Sequence, residues 1–533
     1  MKVFFKLGCL HQMRPGLFSR FFFIIVLFLL TIQVHSQKHI VYNAVTMEFS
    51  KSIAPDAYRL LGNVVFIDRA AKMYCDSAYY YSVTENIDAF GNVRIVPDNK
   101  GNTSLTGKVL HYKAADRIAN ILGDVVLVDD SATLTTATIF YNMTTGIADY
   151  PGKGKIVQGQ TIITSELGAY NKYTKEAHFK RKVVVTNPQG IIHTDTMNYS
   201  TASKNVYFLG PTIINSTDKD TIYCEKGWYN MDNGKSSYRQ NAWIKGGSNT
   251  IKGDTLYYEK FTGLGKAYGN IEMRDSSQNY ILKGDYASYD RPNKTGLVTK
   301  KALMIQVDNK DSLYLHGDTI YYGYFTKQKQ DTTSTALDTF KYVKAFHHVK
   351  FFRSDLQGKC DSLYYSFQDS TLQFIGLPVL WAQGNQLTAE HMKIFIKNKQ
   401  MERLELTTSS LIVAQRDSGK FDQIKGRNMT GYFVNNGLRR MNVKGNGQMI
   451  AFHKEREKGP IIGIQKTESS DIKLLFKKNE KDKLGLDKIS YINSVQGTYN
   501  PPFELKGADL LLKDFIWLEN FRPKTWSEIF IWE

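Results

Sequence analysis

A tyrosine returns about every 29 residues, in the same local phrase, across most of this chain. The phrase is cleanest as Gly253-Asp254-Thr255-Leu256-Tyr257-Tyr258. Aligned on its acidic position, it falls at Asp76, Lys108, Ala137, Glu166, Asp195, Glu225, Asp254, Asp285, Asp318, Asp361, Glu390 and Arg427. Four residues after these anchors stand Tyr80, Tyr112, Tyr141, Tyr170, Tyr199, Tyr229, Tyr258, Tyr289, Tyr322 and Tyr365, and only the last two repeats miss. A constant period means that one structural unit has been copied and stacked. Such chains bury a core between neighbouring units and present an extended surface. That favours binding along a length over catalysis in a compact pocket.

A second phrase lies between the anchors: Gly62-Asn63-Val64, Gly91-Asn92-Val93, Gly123-Asp124-Val125 and Gly269-Asn270-Ile271, with weaker copies at Gly210-Pro211 and Gly376-Leu377-Pro378. After it, apolar residues alternate: Val64 and Phe66, Val93 and Ile95, Val125 and Leu127, Ile271 and Met273. Period-two alternation bounded by Gly and Asn predicts a half-buried strand after a turn. Each repeat is then two or three short strands, and the fold class is all-β: an elongated, solenoid-like stack of about twelve repeats of ~29 residues. The recurring acids are expected to organise turns through local backbone hydrogen bonds. The tyrosines are expected to mark layers of the stack as cross-strand aromatics.

Residues 1–36 have the pattern of a secretory signal. Lys2, Lys6, Arg14 and Arg20 precede an apolar run from Phe21 to Leu30, and Val34-His35-Ser36 gives a small-residue exit. Removing those four cations lowers the net charge from +18 to +14. A basic balance suits anionic partners such as phosphorylated lipid or a membrane surface. Cys75, Cys224 and Cys360 each directly precede an anchor and lie several repeats apart. A disulfide needs Cα atoms within about 7 Å, so the three are expected to be separate, small, buried side chains.

The regularity breaks at a polar insertion between Tyr322 and Lys344 and at charged stretches over Lys454–Lys458 and Lys477–Lys483, all expected as solvated loops or turns. Beyond Pro501-Pro502, Leu510, Leu511, Phe515, Leu518 and Phe521 recur at helical spacing, predicting a short C-terminal helix that caps the open end of the stack or docks on a partner. No zinc-protease, Cys-x-x-Cys, nucleophile-elbow or phosphate-loop motif occurs. His347-His348 is a lone pair whose rings would diverge from a strand. No catalytic residue, metal ligand or cofactor is assigned, and no enzyme activity is expected.

The phrases Gly62-Asn63-Val64, Met73-Tyr74-Cys75-Asp76-Ser77-Ala78-Tyr79-Tyr80, Ala89-Phe90-Gly91-Asn92-Val93 and Leu105-Thr106-Gly107, with their later echoes, resemble the OstA-like (LptA-like) family of lipopolysaccharide-transport proteins, in its long Bacteroidetes-type version. The resemblance is best over about residues 38–200 and weakens towards 435. It implies a β-jellyroll of stacked antiparallel strands, open at its ends, with an apolar groove that shields acyl chains of lipopolysaccharide while the sugars stay outside. It also implies edge-strand pairing with other transport components, or head-to-tail with copies of the chain. No nucleic acid is expected as a partner.

The expected organisation is a signal peptide over 1–36, an OstA-like N-terminal jellyroll over 37–200, continued repeats over 201–435, degenerate terminal repeats over 436–500 and a C-terminal cap or docking segment over 501–533. The expected function is a periplasmic bridge, associated with the outer or inner membrane. Its acyl-chain lining would be Val64, Phe66, Val93, Ile95, Val125, Leu127, Ile271 and Met273. The rival readings are a secreted β-solenoid that binds or cleaves polysaccharide on exposed tyrosines, and a structural or adhesive surface protein.

Overall fold

The computed structural model describes residues 40–532, apart from 53–54, 98–101, 278, 309–310, 329–336, 399, 457–458 and 479–483. The expected signal segment, the middle of the polar insertion and parts of both charged stretches therefore lie outside the described residues. Most of the rest, 71 %, is antiparallel strand, so the chain is all-β and built of stacked repeats, as its period predicts. It divides into two compact units between Ala148 and Asp149.

In the first unit six long strands follow one another as a meander: Ala57–Asp68, Ala71–Tyr81, Ile87–Val96, Ser104–Lys113, Ile118–Asp129 and Ala132–Asn142. Each pairs with the next, and each pairing slips in register near its middle. Gly62-Asn63, Gly91-Asn92 and Gly123-Asp124 sit at these slips with φ of 78 and 47°, 75 and 44°, and 78 and 48°. Two left-handed residues opposite one bend a strand without ending it. Glycine takes this conformation freely, and Asn and Asp tolerate it better than other side chains do. The expected turn at Gly-Asn is therefore a bend within a continuous strand. The bends fold each strand across two half-sheets whose inner faces meet. Phe66 and Tyr80 belong to opposite halves, and their ring centroids are 6.2 Å apart.

The anchor acids hold these bends. Asn92 Nδ2 donates to Asp76 at 2.8 Å, Asn270 to Asp254 at 2.9 Å and Asn241 to Glu225 at 2.7 Å. The expected local turn bonds give way to this cross-strand contact because the bend brings a side-chain amide to the carboxylate. The exceptions obey the same logic. Where the anchor is Lys108 the bend residue is Asp124, and where it is Glu166 the bend residue is Lys182. His347-His348 is another bend, with φ of 56 and 51°. The two rings do diverge, towards Asp361 at 3.2 Å and Asp318 at 2.8 Å.

The second unit continues the pattern to Asn500. Some strands are interrupted at the bend, as in Asn205–Phe208 and Thr212–Ser216 around Gly210-Pro211, where proline has no N–H to give the ladder. Cys75, Cys224 and Cys360 are free and buried, and burial pushes each thiol up to about 12, which keeps it neutral and unreactive.

The C-terminus differs from the expected helix. It holds three short 3-10 turns, Gly507–Leu510, Glu519–Phe521 and Trp526–Phe530, joined by extended chain. Instead of capping an end, the segment runs as a strap across the outer face of the last repeats. Its backbone is held by buried glutamines. Gln423 donates to the Leu510 carbonyl and accepts from the Leu512 N–H, both at 2.8 Å. Gln386 does the same with Ile516 at 2.9 Å and Leu518 at 2.7 Å, and Gln357 accepts from Arg522 Nε at 2.8 Å. An unpaired backbone polar group is costly to bury, so an extended strap needs these partners where a helix would supply its own.

Candidate functional site

The inner face of the first unit carries an unbroken apolar ladder: Phe66–Met73–Ile95–Leu105–Leu127–Leu134 across successive strands. Of the eight residues expected to line an acyl-chain groove, Val64, Phe66, Val93, Ile95, Val125 and Leu127 all lie on this inner face, none more than 3 % exposed. Ile271 and Met273 lie on the inner face of the second unit, Ile271 buried and Met273 half-buried.

The half-sheets join along the bends and meet at a seam on the opposite side, and the recurring tyrosines stand at that seam. Tyr80, Tyr112, Tyr141, Tyr170, Tyr199 and Tyr229 are buried, whereas Tyr289 is 36 % exposed. In the first unit the Tyr112 hydroxyl donates to Asp68 at 2.5 Å, and Arg117 Nε donates to the same carboxylate at 2.8 Å. Asp68 closes one half-sheet's hairpin, while Tyr112 and Arg117 belong to the other, so this trio latches the seam. In the second unit Tyr199 donates to Gln158 at 2.6 Å and Lys341 to the Tyr280 hydroxyl at 2.9 Å, again across the seam.

Between these two latches the seam opens. The opening lies between the hairpin ends Asn187–Gly190 and Ser216–Asp220 on one half-sheet and Tyr229, Tyr238, Tyr258 and Lys260 on the other. Its floor is Ile192, Ile214 and Ile222, successive members of one inner row. That row runs on through Ile244 and Ile251 to Met273 and Leu282. At the rim, burial raises the Asp220 carboxyl above its usual range, with Asp218 adding to the rise and Arg291 and Lys260 opposing it. Burial pushes the Tyr229 phenol up to about 12, so it is a neutral donor.

Sequence reasoning did not single out Gln189, Ile192, Ile214, Ile222 or Tyr229 as site residues. Extending the alternation rule to the weak Gly210-Pro211 copy would have found Ile214, four residues on. Nothing in the local sequence marks where the seam opens, because that depends on residues about 40 positions apart. Among the described residues, no group of three or more His, Cys, Asp or Glu stands close enough to hold a metal ion. No helix there is long and apolar enough to cross a membrane.

Residues 36–195 match the family model of the OstA-like proteins. This stretch of the chain is OstA-like. It comprises the latched first unit and the opening strands of the second, up to the Asp195 anchor. OstA-like proteins form a family of transport and binding in lipopolysaccharide traffic, generally periplasmic. A search of curated proteins finds no significant match.

Proposed function

We propose that the protein is a periplasmic lipopolysaccharide-binding bridge that shields acyl chains between its half-sheets on the way to the outer membrane. The observation that carries this reading is the pair of continuous apolar rows, one facing inward in each unit, in a chain whose N-terminal part is OstA-like. Val64, Phe66, Val93, Ile95, Val125, Leu127, Ile271 and Met273 are the proposed wall of the acyl-chain path. The half-sheets part at the seam to admit chains, because the bends hinge them together on one side only.

Thr46–Phe49 has all four residues exposed, as has most of Gln496–Asn500. Strands of this kind are templates for strand addition, which supports joining to other transport components or to copies of the chain. A polysaccharide platform is less well supported, since six of the ten repeat tyrosines are buried. Depletion of the protein in its host tests the reading. Lipopolysaccharide should accumulate at the inner membrane within a few generations. Unchanged delivery to the outer membrane would contradict it.

A further inference from the structure

The seam positions that latch at Tyr199 are repeated one unit on, yet there the latch is not made. Tyr199 donates to Gln158, the last residue of its hairpin strand. The equivalent of Gln158 in the next hairpin is Asn187, because each pairs with the first residue of the following strand, Gln158 with Thr161 and Asn187 with Gly190. Asparagine is one methylene shorter. Its side-chain oxygen also accepts from the Gln189 N–H at 2.9 Å, an Asx turn that keeps it on its own hairpin.

Tyr229 is left facing the opening. Its hydroxyl is buried without a hydrogen-bond partner, and Tyr229 is only 9 % exposed. Gln189, whose side-chain oxygen is likewise buried without a partner, lines the same opening. Leaving a buried polar group unsatisfied is costly, and two of them converge here on one space. One is a donor and the other an acceptor. Below them lies the apolar floor of Ile192, Ile214 and Ile222.

We propose that this unlatched seam is a lateral opening that admits an acyl chain, whose polar linkage bridges Tyr229 and Gln189. The linkage must accept from a phenol and donate to an amide oxygen, so it is an amide or a hydroxyl-bearing chain, not a simple ester. The chain then lies on the isoleucine row, in line with Met273. The proposal rests on the reading of the interior as an acyl-chain site and adds to it a place and a linkage chemistry.

The test is equilibrium dialysis of the full chain against two labelled probes of equal chain length, N-methyldodecanamide and methyl dodecanoate. The amide should bind about fivefold more tightly, which is what one modest hydrogen bond amounts to. Gln189→Leu should remove that preference, and Tyr229→Phe, which loses the donor to either carbonyl, should weaken both probes alike, with the thermal unfolding midpoint reporting an intact fold. Tyr199→Phe, at a latched position, should leave the preference in place. Equal binding of the two probes by the unsubstituted protein overturns the proposal, as does a preference that survives Gln189→Leu. In either case the acyl-chain reading stands. If neither probe binds at all, that reading fails with it.

Discussion

The seam is closed at Tyr112 and open at Tyr229, although both tyrosines occupy the same position of the repeat. At Tyr112 the opposing hairpin supplies Asp68, backed by Arg117. At Tyr229 the opposing hairpin supplies an asparagine engaged in its own turn. The interiors differ accordingly: Ile95 is fully buried, and Ile214, beside the opening, is 9 % exposed. A repeat can therefore copy its wall faithfully and still vary its opening, because the opening is set by the residue across the seam and not by the repeated phrase.

Core truncation gives the largest contrast. Ile95→Ala should cost about 4 kcal/mol in urea unfolding, whereas Ile214→Ala should cost about 2 kcal/mol, because it leaves less of a closed cavity. Equal costs would mean that the second interior is as tightly filled as the first. The latch comes next. Asp68→Ala leaves the Arg117 guanidinium, with 14 % of its side chain exposed, without its carboxylate, and should cost about 3 kcal/mol. Tyr112→Phe should cost about 1.5 kcal/mol for a hydrogen bond to a charged acceptor. Tyr229→Phe should be close to neutral or slightly stabilising. A cost at Tyr229 matching that at Tyr112 would show that the seam is latched there too.

The strap contrasts with the bare face in a similar way. One outer row reads Gln357–Trp381–Gln386–Val413–Gln423–Ile450 beneath it. Further back the same face reads Ile191–Asn215–Thr221–Lys245–Thr250–Arg274. Gln386→Leu removes both partners of the strap at Ile516 and Leu518. Hydrogen exchange at the Leu518 amide should accelerate at least tenfold, about the 1.4 kcal/mol expected for one such bond, while the Leu406 amide stays protected.

The smallest effect is a pH dependence. His316 packs on Phe530 of the strap with ring centroids 4.6 Å apart. Burial lowers its pKa, with the Ala302 carbonyl and Asp318 opposing and His348 adding to the fall. The folded state thus prefers the neutral ring. Its contribution is complete above the ordinary value of about 6.5 and is lost as pH falls through the lower folded value. Protection factors in Trp526–Phe530, with rates corrected for the intrinsic effect of pH on exchange, should fall on acidification from pH 7 to 5, and His316→Phe should flatten that dependence.

Much of the fold was legible because the repeat is local. The period, the all-β class, the inward alternation of Val64 and Phe66, and the isolation of the three cysteines all follow from patterns within 30 residues. The Gly-Asn bends were visible as boundaries, but the sequence pattern is the same for a turn and for a left-handed bend inside a strand. The strap differs from the expected helix because apolar spacing at 510–521 satisfies an extended segment as well as a helix. What decides it is a glutamine four residues before the anchor in three repeats, Gln357, Gln386 and Gln423, where the nine earlier repeats have none. Of the candidate lining, the inward direction was legible and the place of the opening was not.

Photo-crosslinking in living cells tests the central claim most directly. A benzophenone amino acid is placed in turn at Ile214, at Ile95 and at Tyr207, whose side chain is on the outside and 43 % exposed. The expected result is a strong lipopolysaccharide adduct at Ile214, a weaker one at Ile95 where the seam is latched, and none at Tyr207. Adducts as strong at Tyr207 as at Ile214, or none at either inner site, would contradict an interior that carries acyl chains.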